Sequence, residues 1–282
     1  MLLIFLNLSL LALWIYIASS FGRGREAFFN FYINRVRRLL FAPITFVQNL
    51  FPKLPDWGAA IILFALTATA LVLFHKHSIE SALSIPAELP RSLIRRRILY
   101  ESVLLLGRPV VWFCGLNLIR TAMIWRLGRG RVNNTLECLD TVCFPLSRLK
   151  LPLSVAASVA VIIALSAAIP DIAGSCGYLM MGVKAIGGEI ETGQSVKLAI
   201  GGLLGTLMVL RSLIGAGIIA SIAGLLIGQR AITGMADEWL ASITRIITTR
   251  RLTFAMFDFT PVIIYIAAGY IYDYLVETIM NF

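Results

Sequence analysis

Six stretches of nearly unbroken apolar character alternate along the chain with segments that hold most of its charge. They run roughly 2–20, 57–74, 104–125, 151–169, 211–227 and 259–279. A helix of about 20 residues crosses a hydrocarbon layer ~30 Å thick. Helices satisfy their own backbone polar groups in lipid, and these stretches are too long and too continuously apolar for barrel strands. The pattern therefore predicts an all-α membrane protein with about six transmembrane helices, a single integral membrane domain over residues 1–282. The first stretch has no basic residue before it and no small-residue cleavage site before Phe21. It reads as a retained anchor rather than a signal peptide.

Three of the stretches end alike, in Phe21-Gly22-Arg23-Gly24-Arg25, Leu127-Gly128-Arg129-Gly130-Arg131 and Ile227-Gly228-Gln229-Arg230. Each is followed by an amphipathic connection and then by the next apolar stretch. This predicts an internal repeat of three helical hairpins, over about 1–76, 99–170 and 196–280, with the Gly closing the first helix of each. In the first connection Phe29, Ile33, Val36, Leu40 and Ile44 share a face, with Arg35, Arg37 and Arg38 elsewhere. In the third, Met235, Leu240, Ile243 and Ile247 form a face, with Asp237 and Glu238 near its start and Arg250 and Arg251 near its end. Such segments read as interfacial amphipathic helices. They serve either as surface props or as a face that docks a partner or anionic lipid, and in the second case Arg35, Arg37, Arg38, Arg250 and Arg251 are the binding residues.

Composition sharpens this picture. Hydrophobic residues make up 59% of the chain and charged residues only 14%, with mean hydropathy +0.85. Soluble domains carry about 25% charge, so that class is excluded. The net charge of +10 points to basic loops beside an anionic leaflet, so membrane lipids are the first expected partners and other membrane proteins or self-association the second. Nucleic acid is not expected, because the basic residues never interleave with exposed aromatics. Lys and Arg concentrate in the first, third and fifth connections, which places these on the cytoplasmic side and both termini outside, in a bacterial cytoplasmic (inner) membrane. The run Arg95-Arg96-Arg97 falls on the opposite side.

Within or near the apolar stretches, Glu101, Arg108, Arg120 and Arg211 are charges that stand close to hydrocarbon. Arg108, Arg120 and Arg211 are expected to snorkel to the headgroups, and Glu101 shares a helix face with Arg108. Small residues recur every fourth position in Ala156, Ala160, Ala164 and Ala168, and in Ala216, Ala220, Gly224 and Gly228. These stripes predict close packing of the fourth and fifth spans. His75 and His77 flank a span end without partners, and the cysteines (Cys114, Cys138, Cys143, Cys176) show no Cys-x-x-Cys spacing. No catalytic motif, metal set, cofactor or small-molecule substrate emerges, so the chain reads as no enzyme.

One motif stands out. Arg250-Arg251 precedes Phe257-Asp258-Phe259-Thr260-Pro261 at the head of the last stretch, and Pro55-Asp56-Trp57 stands at the head of the second. Asp258 and Asp56 suit helix caps, Thr260 adds an acceptor, and Pro261 is tolerated in a first turn. The alternative is a carboxylate that binds an ion or proton at the membrane edge. The Arg-Arg segment leading into Asp-hydrophobic-Thr-Pro resembles the signature of the YggT family, also called YlmG, whose members are small bacterial and plastid membrane proteins built from hairpins. Here Thr260 stands where the family has Ser, and the chain is expanded to three hairpins. The resemblance implies a non-enzymatic scaffold, subunit or assembly factor of a larger membrane complex. An ion channel or osmotic-stress transport component is the alternative.

Overall fold

The structure is a computed structural model and describes residues 2–21, 29–83, 91–128, 134–168, 192–254 and 257–281. Among these residues it is helical apart from one short hairpin, with nine α-helices: α1 (Leu2–Phe21), α2 (Phe29–Leu50), α3 (Asp56–Leu83), α4 (Arg91–Leu127), α5 (Asn134–Val142), α6 (Leu151–Ala168), α7 (Thr192–Ile227), α8 (Arg230–Ile247) and α9 (Thr260–Asn281). The hairpin pairs β1 (Thr253–Phe254) with β2 (Phe257–Asp258). The chain divides into two compact units, Met1–Leu106 and Gly107–Phe282. The division falls inside α4, two residues before Pro109, which has no amide hydrogen for the helical ladder.

Among the described residues the six apolar stretches are helical apart from Phe259, but two helices run well beyond them. The expected third and fifth spans begin at 104 and 211, whereas α4 begins at Arg91 and α7 at Thr192. Helix formation needs neither uniform apolarity nor freedom from Gly, so charge at 95–97 and the pair Gly201-Gly202 do not interrupt it. Among the described residues two segments are long and apolar enough to cross a membrane, Val196–Ile227 of α7 and Thr260–Ile279 of α9. Leu40–Leu50, Asp56–Leu71 and Leu151–Ala167 are shorter apolar helices.

In the first unit α1, α2 and α3 enclose one core. Leu13, Tyr16 and Ile17 of α1 meet Ile44 and Val47 of α2 and Ala59 and Ala60 of α3. Trp14 tilts against Phe64 at a centroid distance of 6.2 Å. Leu40 and Ile44, from the expected apolar face of α2, do point into this core, while Phe41, Phe46 and Leu50 are exposed.

In the second unit α7 is the central helix, against which α4, α6, α8 and α9 each pack at a different place, while Ile219, Ile222 and Leu226 are exposed. Gly202 meets Ile162 and Ser166 of α6, and Val209 meets Gly115 of α4. Arg211 and Gly215 face Gly269 and Tyr265 of α9. Gly217 faces Trp239 and Leu240 of α8, and Gly224 faces Thr233. Each step toward the C-terminus of α7 is a step toward the N-terminus of its partner, so α8 and α9 both run antiparallel to it. Gly228 turns the chain between α7 and α8. It sits at φ +71°, Gln229 N–H donates to Gly224 O at 2.9 Å and Gly228 N–H to Leu225 O at 3.2 Å. Both bonds of a Schellman motif are therefore present. Gly128 closes α4 in the simpler way, at φ +76°, with its N–H on Ile124 O. Gly22 and Gly24 lie outside the described residues.

The expectation for the third connection changes accordingly. An interfacial helix would lay its apolar face in lipid, but α8 doubles back along α7 and buries Ala236, Leu240 and Ile243 against protein. Trp239 fixes the pairing by donating its indole N–H to Leu213 O at 3.1 Å.

Candidate functional site

The most elaborate arrangement of polar side chains lies where α4, α5, α6 and the 3-10 turn Leu146–Arg148 meet. Arg120 of α4 is only 4% exposed. Its Nε pairs with Asp140 of α5, one terminal nitrogen donates to Asn117 Oδ1 at 3.3 Å, and the other donates to Ser147 O at 3.2 Å. The Asn117 amide nitrogen in turn reaches Ser154 Oγ and Ser158 Oγ, both at 2.8 Å, and Ser154 O at 3.2 Å. Ser158 donates to Ser154 O, and Thr121 to Asn117 O. With its oxygen taken by a cation, Asn117 must offer its NH2 to the serines, so its orientation is fixed.

An unpaired guanidinium in an apolar interior is costly, and here every described connection neutralises or hydrogen-bonds it. Arg120 therefore does not snorkel, contrary to the sequence expectation. Asp140 sits just far enough along α5 to be reached, and its side chain is 47% exposed, which leaves one end of the network at the surface. Asn117, Arg120 and Thr121 stand at i, i+3 and i+4 on one helix face, and Ser154 and Ser158 at i and i+4 on another. That spacing is visible in the sequence, but spacing within each helix does not show that the two faces meet. Chemically the cluster is a clamp holding α4, α5 and α6 together. Cys143 is buried beside it, and burial pushes its thiol up to about 12 against the opposing pull of Arg120. Thiolate is the reactive form. Maleimide should therefore leave Cys143 unmodified at neutral pH until the protein is denatured, and rapid labelling of Cys143 itself in the folded protein, read by peptide mass, would contradict this burial.

The head of α9 holds the second group. Phe259 O accepts the first helical bond, from Ile263 N–H at 3.0 Å, so Asp258 stands one position outside the cap. Its carboxylate nevertheless accepts from the first-turn amide of Thr260 at 2.9 Å. Thr260 is buried, and its hydroxyl oxygen accepts from Leu252 N–H at 2.8 Å, while Phe259 N–H donates to Leu252 O at 2.9 Å. Pro261 is buried in the same turn. Arg251 Nε lies 3.9 Å from Asp258 Oδ2, across the hairpin register Thr253↔Asp258. The motif thus ties the strap before α9 to the start of that helix. Arg250 is exposed, and its amide donates to Thr248 Oγ1. Asp258→Ala should lower stability in detergent by about 1 kcal/mol, and Asp258→Asn by less, because Asn keeps an acceptor. Equal melting temperatures for wild type and both variants would remove the cap role.

Asp56 behaves differently. Pro55 O accepts the first bond of α3, from Ala59 N–H. The Asp56 carboxylate accepts from the Gln48 amide at 2.7 Å and from Tyr16 hydroxyl at 3.5 Å. It joins α1, α2 and α3 instead of capping its own helix through a backbone amide.

Small residues do bring α6 and α7 together, by a different stripe from the one expected. Ala156, Ala160 and Ala164 are exposed, whereas Ser154, Ser158, Ile162 and Ser166 are buried. Two residues of helix turn through about 200°, so the alanines lie on the opposite face. A Cβ on Gly202 would stand 2.7 Å from Ser166 Cβ. In α7 Ala216 is exposed, Ala220 half-buried and Gly224 buried against α8. The side chains of Ala168, Arg35, Arg37, Arg38, Glu101, Arg108, His75 and His77, and the whole of Cys176, lie outside the described residues.

Arg211 also departs from expectation. With α7 extended to Thr192, it stands midway along the segment Val196–Ile227 instead of near its edge. Its guanidinium carbon lies 4.6 Å from the Tyr265 ring centroid, and its Nε is buried without a hydrogen-bond partner. No ion pair forms there among the described residues.

Comparison with family models, with curated proteins and with solved structures gave no match.

Proposed function

We propose that the chain is an integral protein of the bacterial cytoplasmic membrane, built from three helix–connection–helix hairpins, that acts without catalysis as a scaffold, subunit or assembly factor of a membrane complex. The observation that carries this reading is the outer surface of the second unit. Ile219, Ile222, Leu226, Ile263, Ile266, Tyr270 and Ile271 are all exposed on the two helices that, among the described residues, are both long and apolar enough to span a bilayer. Apolar side chains in that number need lipid or a protein partner to cover them. The element order supports the hairpins: α1–α2–α3, α4–α5–α6 and α7–α8–α9 each place a connecting helix between two apolar ones. The segment from Arg250 to Pro261 carries the resemblance to the YggT family. The three-sided clamp at Arg120 suits a rigid framework that presents surfaces.

Membranes from the native host, washed with alkaline carbonate, should retain the protein. Extraction in mild detergent should then recover it with another membrane protein at fixed stoichiometry. Neutralising Arg250 and Arg251 together should weaken that association, or retention by anionic lipid, without unfolding the bundle. Association that is unchanged at low and high salt would reject the docking role of these arginines. A second reading, as an ion transport component, is favoured by one specific observation: the charge of Arg211 at the middle of the two long apolar helices.

A further inference from the structure

We propose that Arg211 is the binding group of a small-anion site at mid-height between α7 and α9. The inference rests on the reading of these two helices as membrane-spanning, and it is independent of the scaffold role. Two separate measures of depth converge on this residue. Arg211 is centred in Val196–Ile227, and Gly269, the residue it touches, is centred in Thr260–Ile279. The contact depends on Gly269: a Cβ there would lie 2.9 Å from Arg211 Nη1, 3.0 Å from Cζ and 3.4 Å from Nε. The guanidinium is thus admitted across the backbone of α9 at the single position where α9 has no side chain to obstruct it.

The surroundings stabilise a positive charge without neutralising it. Tyr265 presents its ring face to the guanidinium at 4.6 Å, which attracts a cation but leaves its donors open. The buried Nε has no acceptor. The nearest carboxylate along α9, Asp273, lies one turn beyond Gly269, is exposed, and forms no ion pair with Arg211. Arg120 shows how this chain treats a buried arginine that serves as a structural clamp, surrounding it with Asp140, Asn117 and Ser147 O. Arg211 receives none of these. A charge held at mid-depth with open donors calls for a mobile counter-charge, and the planar fork of donors suits a halide or a small planar oxyanion such as nitrate.

The test uses the full-length protein in detergent with chloride as the probe, read by broadening of the 35Cl resonance. Wild-type protein should broaden the line saturably, nitrate should compete the broadening away, and gluconate at equal ionic strength should not. Arg211→Gln should abolish the competed component, and Arg211→Lys should retain a weaker one. Where Arg211→Gln does not fold, Gly269→Ala carries the test, because its Cβ displaces the guanidinium while the charge remains; the competed broadening should then fall. No competed broadening in wild type, or equal broadening in Arg211→Gln, overturns the proposal. So does a stoichiometric membrane protein lost only from the Arg211 variants, since its carboxylate would then be the counter-charge. Carbonate extraction reads the membrane-spanning premise separately, so failure of the site and failure of the premise give different results.

Discussion

Asp140→Ala should destabilise the second unit by about 3 kcal/mol, near the lower end for breaking a buried pair, because Asp140 is itself half-exposed. The deletion leaves Arg120 buried with only Asn117 Oδ1 and Ser147 O as acceptors, neither of which carries charge. Arg120→Met should cost less than Asp140→Ala. It removes the charge that needs solvation and leaves Asp140 free to turn toward water, while the Met stem keeps much of the packing. The double variant Arg120→Met/Asp140→Ala should therefore be more stable than Asp140→Ala alone. Chemical denaturation in detergent micelles, arranged as a double-mutant cycle, measures the coupling directly. Additive effects would mean that the pair does not form and that the clamp is held by Asn117 and the serines alone.

Gly202→Val should cost about 2–3 kcal/mol, at the upper end for overpacking a tight contact. The conflict lies partly with a Cβ, the one of Ser166 at 2.7 Å, and not only with the movable end of a long side chain. Ile162 Cγ2 stands behind it at 3.3 Å, so α6 and α7 would have to separate. Ser166→Gly removes the obstructing carbon and should recover most of the stability lost by Gly202→Val, despite its own cost in helix propensity. A Gly202→Val variant as stable as wild type would show that α6 and α7 do not meet at this point. By contrast, Ala160→Val should be tolerated, because Ala160 lies on the exposed face of α6.

The contrast between Gly202 and Ala160 marks a limit of sequence reasoning. Apolar length locates α1, α3, α4, α6, α7 and α9, and Gly128 and Gly228 mark two helix ends, because both signals are local. Helix length beyond the apolar stretch is not legible, which puts Arg211 at an edge when it stands at the centre. The choice of packing face in α6 is not legible either: alanines and serines are both small, and only the position of Gly202 decides between them. The clamp stays hidden for a related reason. Arg120 and Asp140 are 20 residues apart on different helices, and nothing in the spacing shows that α5 turns its acid toward α4. The amphipathic pattern of α8 is real, yet period alone cannot say whether an apolar face meets lipid or a neighbouring helix. Only the contacts of Leu240 and Trp239 with α7 settle that. The bond from Asp258 to the first turn of α9 is the part of the site most open to reading, although the cap position itself falls to Phe259, because an acidic residue before Thr-Pro acts within a few residues of itself.

A membrane-spanning arrangement requires the outer faces of α7 and α9 to meet lipid. The direct measurement is power-saturation electron paramagnetic resonance in proteoliposomes, with single spin labels at Ile219, Ile263, Ile266, Tyr270 and Ile271 in a background free of other cysteines. Lipid-facing positions should collide freely with oxygen and poorly with a water-soluble nickel chelate, and Ile214, buried in the core, should be shielded from both. Strong nickel accessibility at Ile266 and Tyr270 would place these helices in water and contradict the membrane-spanning arrangement.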